Sequence, residues 1–370
     1  MNKKYNVLIF GTGTSAVYLE SGLDKNKVNI IGYIDNNKCK QGTYYKEKNI
    51  YDPIEAINMD FDYILIASQY NDEILTQLLS YGIDYKKIFQ FFLFLNVCGD
   101  NHKRKINLFL QNENYELLCT GISYAAIGFQ EKVCSKKSFN FALGSQDLYY
   151  DYNIIKYLFE NHTYKVKKVK YCIIGLSYYS FQYDLSLSAM KYKCYVYRDT
   201  INKYNNYNID KNFEKYFETS LNIFNNICLK GEEKLHTFNR NKIYKESIVK
   251  EEIKDKGRVQ AEGDCNKNYP NTVIENKKIF KEYIEFLKAK NIKPIIVVFP
   301  AMSYYTKYFS KKIELEFKEI ISEFKKEYDF QYIDCFRMEN FDNKYFADVS
   351  HLNKEGGEEF TRILNEKIIW

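Results

Sequence analysis

The residues best placed to do chemistry are Asp348 and His351, three apart in Phe346-Ala347-Asp348-Val349-Ser350-His351-Leu352-Asn353, near the carboxyl end of a chain with only four histidines. An Asp three residues ahead of a His, where a loop meets a helix, can orient the imidazole and hold the imidazolium that forms when it takes a proton. Such a base needs a hydroxyl to serve. The stretch Tyr115-Glu116-Leu117-Leu118-Cys119-Thr120-Gly121-Ile122-Ser123-Tyr124-Ala125 carries an apolar strand through a glycine into Ser123. That serine would open the next helix, beside free backbone N–H groups and the positive end of the helix dipole. Ser123 is the candidate nucleophile. A serine after a strand is more often only a helix cap, so its conjunction with Asp348 and His351 is what gives it weight. A third fragment, Phe139-Asn140-Phe141-Ala142-Leu143-Gly144-Ser145-Gln146-Asp147, breaks a short apolar run at Gly144. A glycine N–H can approach a substrate oxygen closely, and with the N–H of Ser123 it would form an oxyanion hole.

The elements that must carry these residues read as alternating strands and helices. Phe280, Tyr283, Ile284 and Leu287 share one helical face ahead of the strand Pro294–Phe299, and Ile313, Phe317, Ile320, Ile321 and Phe324 share another ahead of Tyr332-Ile333-Asp334. This predicts an α/β fold with a parallel sheet covered on both sides. Pro300 ends the first of those strands, and Ala301–Tyr305 would lie at its carboxyl edge, where ligands gather in open sheets. The order of Ser123, Gly144, the strand and loop Cys172-Ile173-Ile174-Gly175-Leu176-Ser177, and Asp348-x-x-His351 resembles the SGNH hydrolase superfamily over roughly residues 114–370. The resemblance implies a three-layer α/β/α domain with Ser123 as nucleophile, Gly144 as oxyanion donor, Asp348 as orienter and His351 as base. It departs from the family at one point. Where the family often has an Asn two residues after the glycine of this block, Ser177 stands, and a hydroxyl donates with a shorter reach. The blocks Gly144–Tyr150 and Gly175–Phe181 look most like the branch that decorates bacterial surface polymers, including teichoic-acid D-alanylation and polysaccharide acetylation.

The amino-terminal region is separate. In Tyr5-Asn6-Val7-Leu8-Ile9-Phe10-Gly11-Thr12-Gly13-Thr14-Ser15-Ala16 a buried strand enters a Gly-x-Gly turn and a helix, and a second strand, Val28–Ile34, ends at Asp35. The glycines would admit a phosphate to the helix N-terminus, and an acid about twenty residues on is where a ribose hydroxyl is usually held. Gly11, Gly13, Ser15 and Asp35 are the candidate contacts. A strand over 61–68, a helix over 72–81 and a last strand near Ile88-Phe89 complete the unit. It is similar to the N-terminal Rossmann-like domain of bacterial glycan-assembly enzymes, some of which bind a nucleotide-sugar; the alternative is a scaffold or assembly surface that holds no ligand. The organisation expected is a domain over 1–95, a linker over 96–113 and a hydrolase-like domain over 114–370 with a polar insertion at about 195–272, either a lid or partner-binding segment or a surface excursion.

Length supports two cores, and no stretch reads as a signal peptide or membrane span. A cytoplasmic chain is expected. Nine cysteines without a Cys-x-x-Cys pair fit reduced thiols better than a disulfide framework or a zinc site, so no structural metal is expected. The net charge of +6 is spread along the chain and arginine is scarce, which argues against nucleic-acid binding. Tyr152 and Lys156 stand at the spacing of a short-chain dehydrogenase pair, but so many tyrosines and lysines generate such pairs by chance. Three function classes follow. The first is a serine esterase or O-acyltransferase acting on a surface glycan or its nucleotide-sugar precursor, needing no cofactor for that chemistry. The second is a non-catalytic nucleotide-sugar-binding or assembly protein of the same pathway, with a pathway protein as partner. The third, a nicotinamide oxidoreductase or epimerase, is disfavoured by the small front domain and the absence of a credible catalytic tyrosine.

Overall fold

The computed structural model of the chain describes residues 4–94, 102–201, 203, 205–206, 211–228, 250–339 and 341–370. Two compact units are present, Met1–Asn101 with Asn208–Asn239, and His102–Tyr207 with Arg240–Trp370.

The first unit is built on strands β1 (Tyr5–Phe10), β2 (Val28–Ile34), β3 (Tyr44–Tyr45), β4 (Lys48–Tyr51), β5 (Tyr63–Ile66) and β6 (Ile88–Gln90), with helices α1 (Thr14–Gly22) and α2 (Asn71–Ser80). The sheet runs β3-β4-β2-β1-β5-β6, parallel except for the β3/β4 pairing. Its central strands are continuous apolar runs because they are covered on both faces, and Val7 to Phe10 are buried. The sequence reading of strands at 28–34, 61–68 and 88–89 and of a helix at 72–81 matches these elements within two residues. It missed the β3/β4 hairpin, whose tyrosines, lysines and asparagine alternate too weakly to announce a strand. The helix Lys211–Ile227 also groups with this unit. It fell within the segment read as an insertion in the second domain, since amphipathic periodicity says nothing about which core a helix covers. Of the expected linker, residues 96–101 lie outside the described residues, whereas His102–Leu110 is helix α3, which buries Ile106 and Phe109 in the second unit.

The second unit holds five parallel strands, β7 (Leu117–Gly121), β8 (Ser138–Asn140), β9 (Tyr171–Leu176), β10 (Lys293–Val298) and β11 (Gln331–Asp334), in the order β11-β10-β9-β7-β8. Numbered along the chain this is 2-1-3-4-5, a doubly wound order. Its connections diverge to opposite faces between β7 and β9, leaving a crevice beyond their carboxyl ends. Alternate residues of each strand enter different cores. Cys172, Ile174, Ile296 and Val298 join one cluster, while Ile173, Ile295 and Val297 join the other. Helices α5 (Leu148–Asn161), α7 (Pro270–Ala289) and α8 (Lys311–Glu327) cover the first face, and α4 (Ser123–Gly128) and α9 (Lys354–Lys367) the second. The two apolar helical faces read from the sequence, Phe280–Leu287 and Ile313–Phe324, are buried as expected, each large side chain contributing about 1.5–3 kcal/mol. A further helix, α6 (Lys250–Cys265), packs on the loop after β10. Among the described residues no helix is long and apolar enough to cross a membrane.

Candidate active site

Ser123 is delivered by the turn between β7 and α4. Gly121 adopts φ +137°, and a Cβ there would lie 2.4 Å from the carbonyl oxygen of Gly175 on β9, so only glycine allows the two strand ends to close. Ile122 is extended and Ser123 takes the first helical position, where its N–H has no acceptor within the helix. Asp151, buried on α5, accepts from Gln146 Nε2 at 2.6 Å. Burial pushes the Asp151 carboxyl well above the ordinary range.

The other half of the site is a tight loop ahead of α9. Ala347 N–H donates to the carbonyl of His351 at 2.9 Å, and Asn353 caps α9 by accepting from the N–H of Gly356 at 2.8 Å. Val349 is fixed by the N–H of Met302, from the loop after β10, at 3.0 Å. These contacts bring Ser123 Oγ to 2.8 Å from His351 Nε2, across 228 residues of chain. On the far side of the ring, Nδ1 lies 2.9 and 3.0 Å from the two carboxylate oxygens of Asp348. With Asp348 accepting at Nδ1, the proton sits there and Nε2 is left to accept the Ser123 hydroxyl. Asp348 also accepts from the backbone N–H groups of Ser350 at 2.9 Å and His351 at 2.8 Å. Burial works to raise its pKa, but the hydrogen bond and charge of His351 and those two amides prevail and lower it to about 2.

Gly144 lies on the neighbouring loop. Its placement follows from β8: Phe141 N–H donates to the Cys119 carbonyl and Leu143 N–H to the Gly121 carbonyl, at 2.7 and 3.2 Å, so the loop runs alongside the nucleophile turn. Side chains pin successive carbonyls of this loop. Lys105 donates to Asn140 and Ala142, Lys193 to Gly144, and the Tyr183 hydroxyl to Ser145, at 2.8, 2.8, 3.1 and 3.1 Å. Ser177 follows β9 at the same edge, but its N–H donates to Ser180 Oγ at 2.9 Å and its hydroxyl lies 3.4 Å from that same oxygen. The sequence reading gave Ser177 an oxyanion contact. In the structure its N–H and its hydroxyl both face Ser180 Oγ, three residues on in the same loop.

Several neighbours were not legible from motifs. The ring of Tyr124 stacks on the imidazole of His351, with centroids 4.8 Å apart and planes at 20°, and the Tyr124 hydroxyl accepts from that of Tyr179 at 3.2 Å. Asn140 Nδ2 donates to the carbonyls of Ala125 and Phe129, locking α4 in place. A polar residue inside an apolar strand, as Asn140 is, was the available signal. A cavity of about 1120 Å³ opens beside Asp348, lined among others by Val259, Gln260, Met302, Phe346 and Val349.

In the first unit, Gly11 adopts φ +111° where a Cβ would meet the Ala67 carbonyl at 2.8 Å, and Gly13 precedes α1 with open space around it. Ser15 lies in the first turn of α1. Asp35, at the end of β2, accepts from Thr12 Oγ1 at 2.7 Å, Lys40 Nζ at 2.8 Å and the N–H of Asn37 at 2.9 Å. Burial works to raise this carboxyl, yet the bonds from Lys40, Asn37 and Thr12 hold it below the usual carboxylate range. A ribose hydroxyl reaching Asp35 would therefore have to displace Thr12 or Lys40.

Residues 3–89 match the family described as C2185-like, N-terminal. No curated protein matches the chain. Among solved structures it is similar to a protein of Streptococcus pneumonia provisionally named a platelet activating factor, at 10% identity over 80% of this chain and 99% of that one, with a TM-score of 0.37. It is also similar to a provisionally named acylhydrolase of Bacteroides fragilis, at 10% identity over 72% of this chain and 95% of that one, with a TM-score of 0.35. At that distance neither likeness bears on the chemistry.

Proposed function

We propose that the chain is a serine-dependent esterase or O-acyltransferase, and the observation that carries the reading is the unbroken contact from Ser123 through His351 to Asp348. Ser123 Oγ attacks the acyl carbonyl carbon as its proton passes to His351 Nε2, and the negative charge moves to the carbonyl oxygen, received by the N–H groups of Ser123 and Gly144. When the tetrahedral intermediate collapses, the bond to the leaving oxygen breaks and that oxygen takes the proton from His351. Water or an acceptor hydroxyl then gives its proton to His351 as it attacks the acyl-serine carbonyl; on collapse the bond to Ser123 Oγ breaks, and that oxygen takes the proton back from His351. Throughout, Asp348 stays ionised and holds the imidazolium, a role supported by its lowered pKa.

The substrate we propose is an acylated surface glycan or its nucleotide-sugar precursor, met in the cytoplasm of a bacterium. The support is the resemblance of the Gly144 and Gly175 blocks, with a nucleotide or nucleotide-sugar bound by Gly11, Gly13, Ser15 and Asp35 of the first unit. The described cysteines are all free thiols, which suits that compartment. A second reading, a non-catalytic nucleotide-sugar-binding or assembly protein with a pathway partner, draws on the turned-in Ser177. Turnover separates the two. The wild type should hydrolyse p-nitrophenyl acetate and deacetylate an O-acetylated sugar, with Ser123→Ala at background; a folded wild type inert towards both esters favours the binding protein.

A further inference from the structure

Helix α6 brings a polar side chain, that of Gln260, towards the base. Gln260 Nε2 donates to Ser350 Oγ at 2.7 Å, and Ser350 is fully buried. Ser350 Oγ lies 3.2 Å from Asp348 Oδ1 and 3.1 Å from His351 Nδ1. Because Nδ1 carries its proton when paired with Asp348, it cannot accept from Ser350, so the only direction left for the Ser350 hydroxyl proton is Asp348. An amide donor on Oγ fixes that direction. Four residues on, Asp264 accepts from the Tyr305 hydroxyl at 2.8 Å, while the ring of Tyr124 covers one face of His351. Residues four apart share a helix face, so the surface of α6 that sets Gln260 against Ser350 also sets Asp264 against Tyr305 in the loop after β10.

We propose that Gln260 is a positioning residue for the Asp348–His351 pair. The inference rests on the Ser123–His351 reading. Its polarity is specific: Gln260 donates, Ser350 passes a donor to Asp348, and the carboxylate is left with its oxygens aimed at Nδ1. Replacing the donor with an acceptor of the same shape would turn the Ser350 hydroxyl towards residue 260 and away from Asp348.

The test uses the full chain with two readouts. In protein carrying ¹⁵N-labelled histidine, the Nδ1–H proton of His351 reports its bond to Asp348. The rate at which a fluorophosphonate labels Ser123 reports activation of the hydroxyl. Gln260→Ala and Gln260→Glu should each move or broaden the Nδ1–H signal and slow labelling about tenfold, the loss expected for one hydrogen bond acting through a charged group. Circular dichroism should stay unchanged. Ser350→Ala should do the same, and Gln260→Ala/Ser350→Ala should be no slower than the worse single variant. Wild-type labelling and an unmoved Nδ1–H signal in Gln260→Glu would overturn the proposal, as would single effects that multiply in the double variant. If the wild type takes no label, the catalytic reading has failed, and the Nδ1–H signal still decides the positioning role.

Discussion

Asp348 accepts four donors within hydrogen-bond distance, from the N–H groups of Ser350 and His351, the Ser350 hydroxyl and His351 Nδ1. So many donors on one carboxylate explain why burial does not keep it neutral, and they give the site a pH signature. Its pKa is lowered from 3.8 to about 2 by folding, so the ionised form is favoured in the native state. For a depressed carboxyl the stabilisation is fully present above the unfolded value and fades as pH falls through the folded one. The gap corresponds to ~2 kcal/mol. Asp348→Asn should therefore unfold at lower urea concentration than the wild type at neutral pH, and the difference should shrink between about pH 4 and pH 2. The same substitution leaves the ring without its anion and favours the wrong tautomer, so kcat/KM should fall by roughly 10²- to 10⁴-fold. A stability difference constant from pH 7 to pH 2 would show that the donors do not act through the charge.

The elements explain how much of this was readable in the sequence. Ser123, Asp348 and His351 stand out because each sits where a strand or loop hands over to a helix, and those junctions are marked locally by Gly121 and by the Asn353 cap. The strands were legible for the same reason: Cys172–Leu176 and Ile295–Val298 are buried on both faces and read as unbroken apolar runs. Sheet order was not, since it depends on which strands pair across gaps as long as that between β9 and β10. Nor were the groups that act through others. Lys193 and Gln260 lie in helical or turn segments with no motif, and only the fold sets them under Gly144 and against Ser350. A position in a block says which edge Ser177 occupies, while its contact with Ser180 is set only by the folded loop.

At the scale of the molecule, each unit carries its candidate residues at the carboxyl ends of its own parallel strands, with Gly11 and Asp35 in one and Ser123 in the other. If the first unit holds a nucleotide-sugar, calorimetry on the full chain should show binding of a UDP-sugar that weakens in Asp35→Ala and leaves NAD(H) without heat. Binding of neither would make that unit a scaffold, with no consequence for the second. The account as a whole stands on the reactivity of one hydroxyl, and the intact mass of the protein after exposure to a fluorophosphonate measures it most directly. The wild type should gain one adduct, mapped to Ser123, that forms far more slowly in His351→Ala and not at all in Ser123→Ala. A folded wild type that gains no mass, or the same adduct on Ser123→Ala, would contradict it.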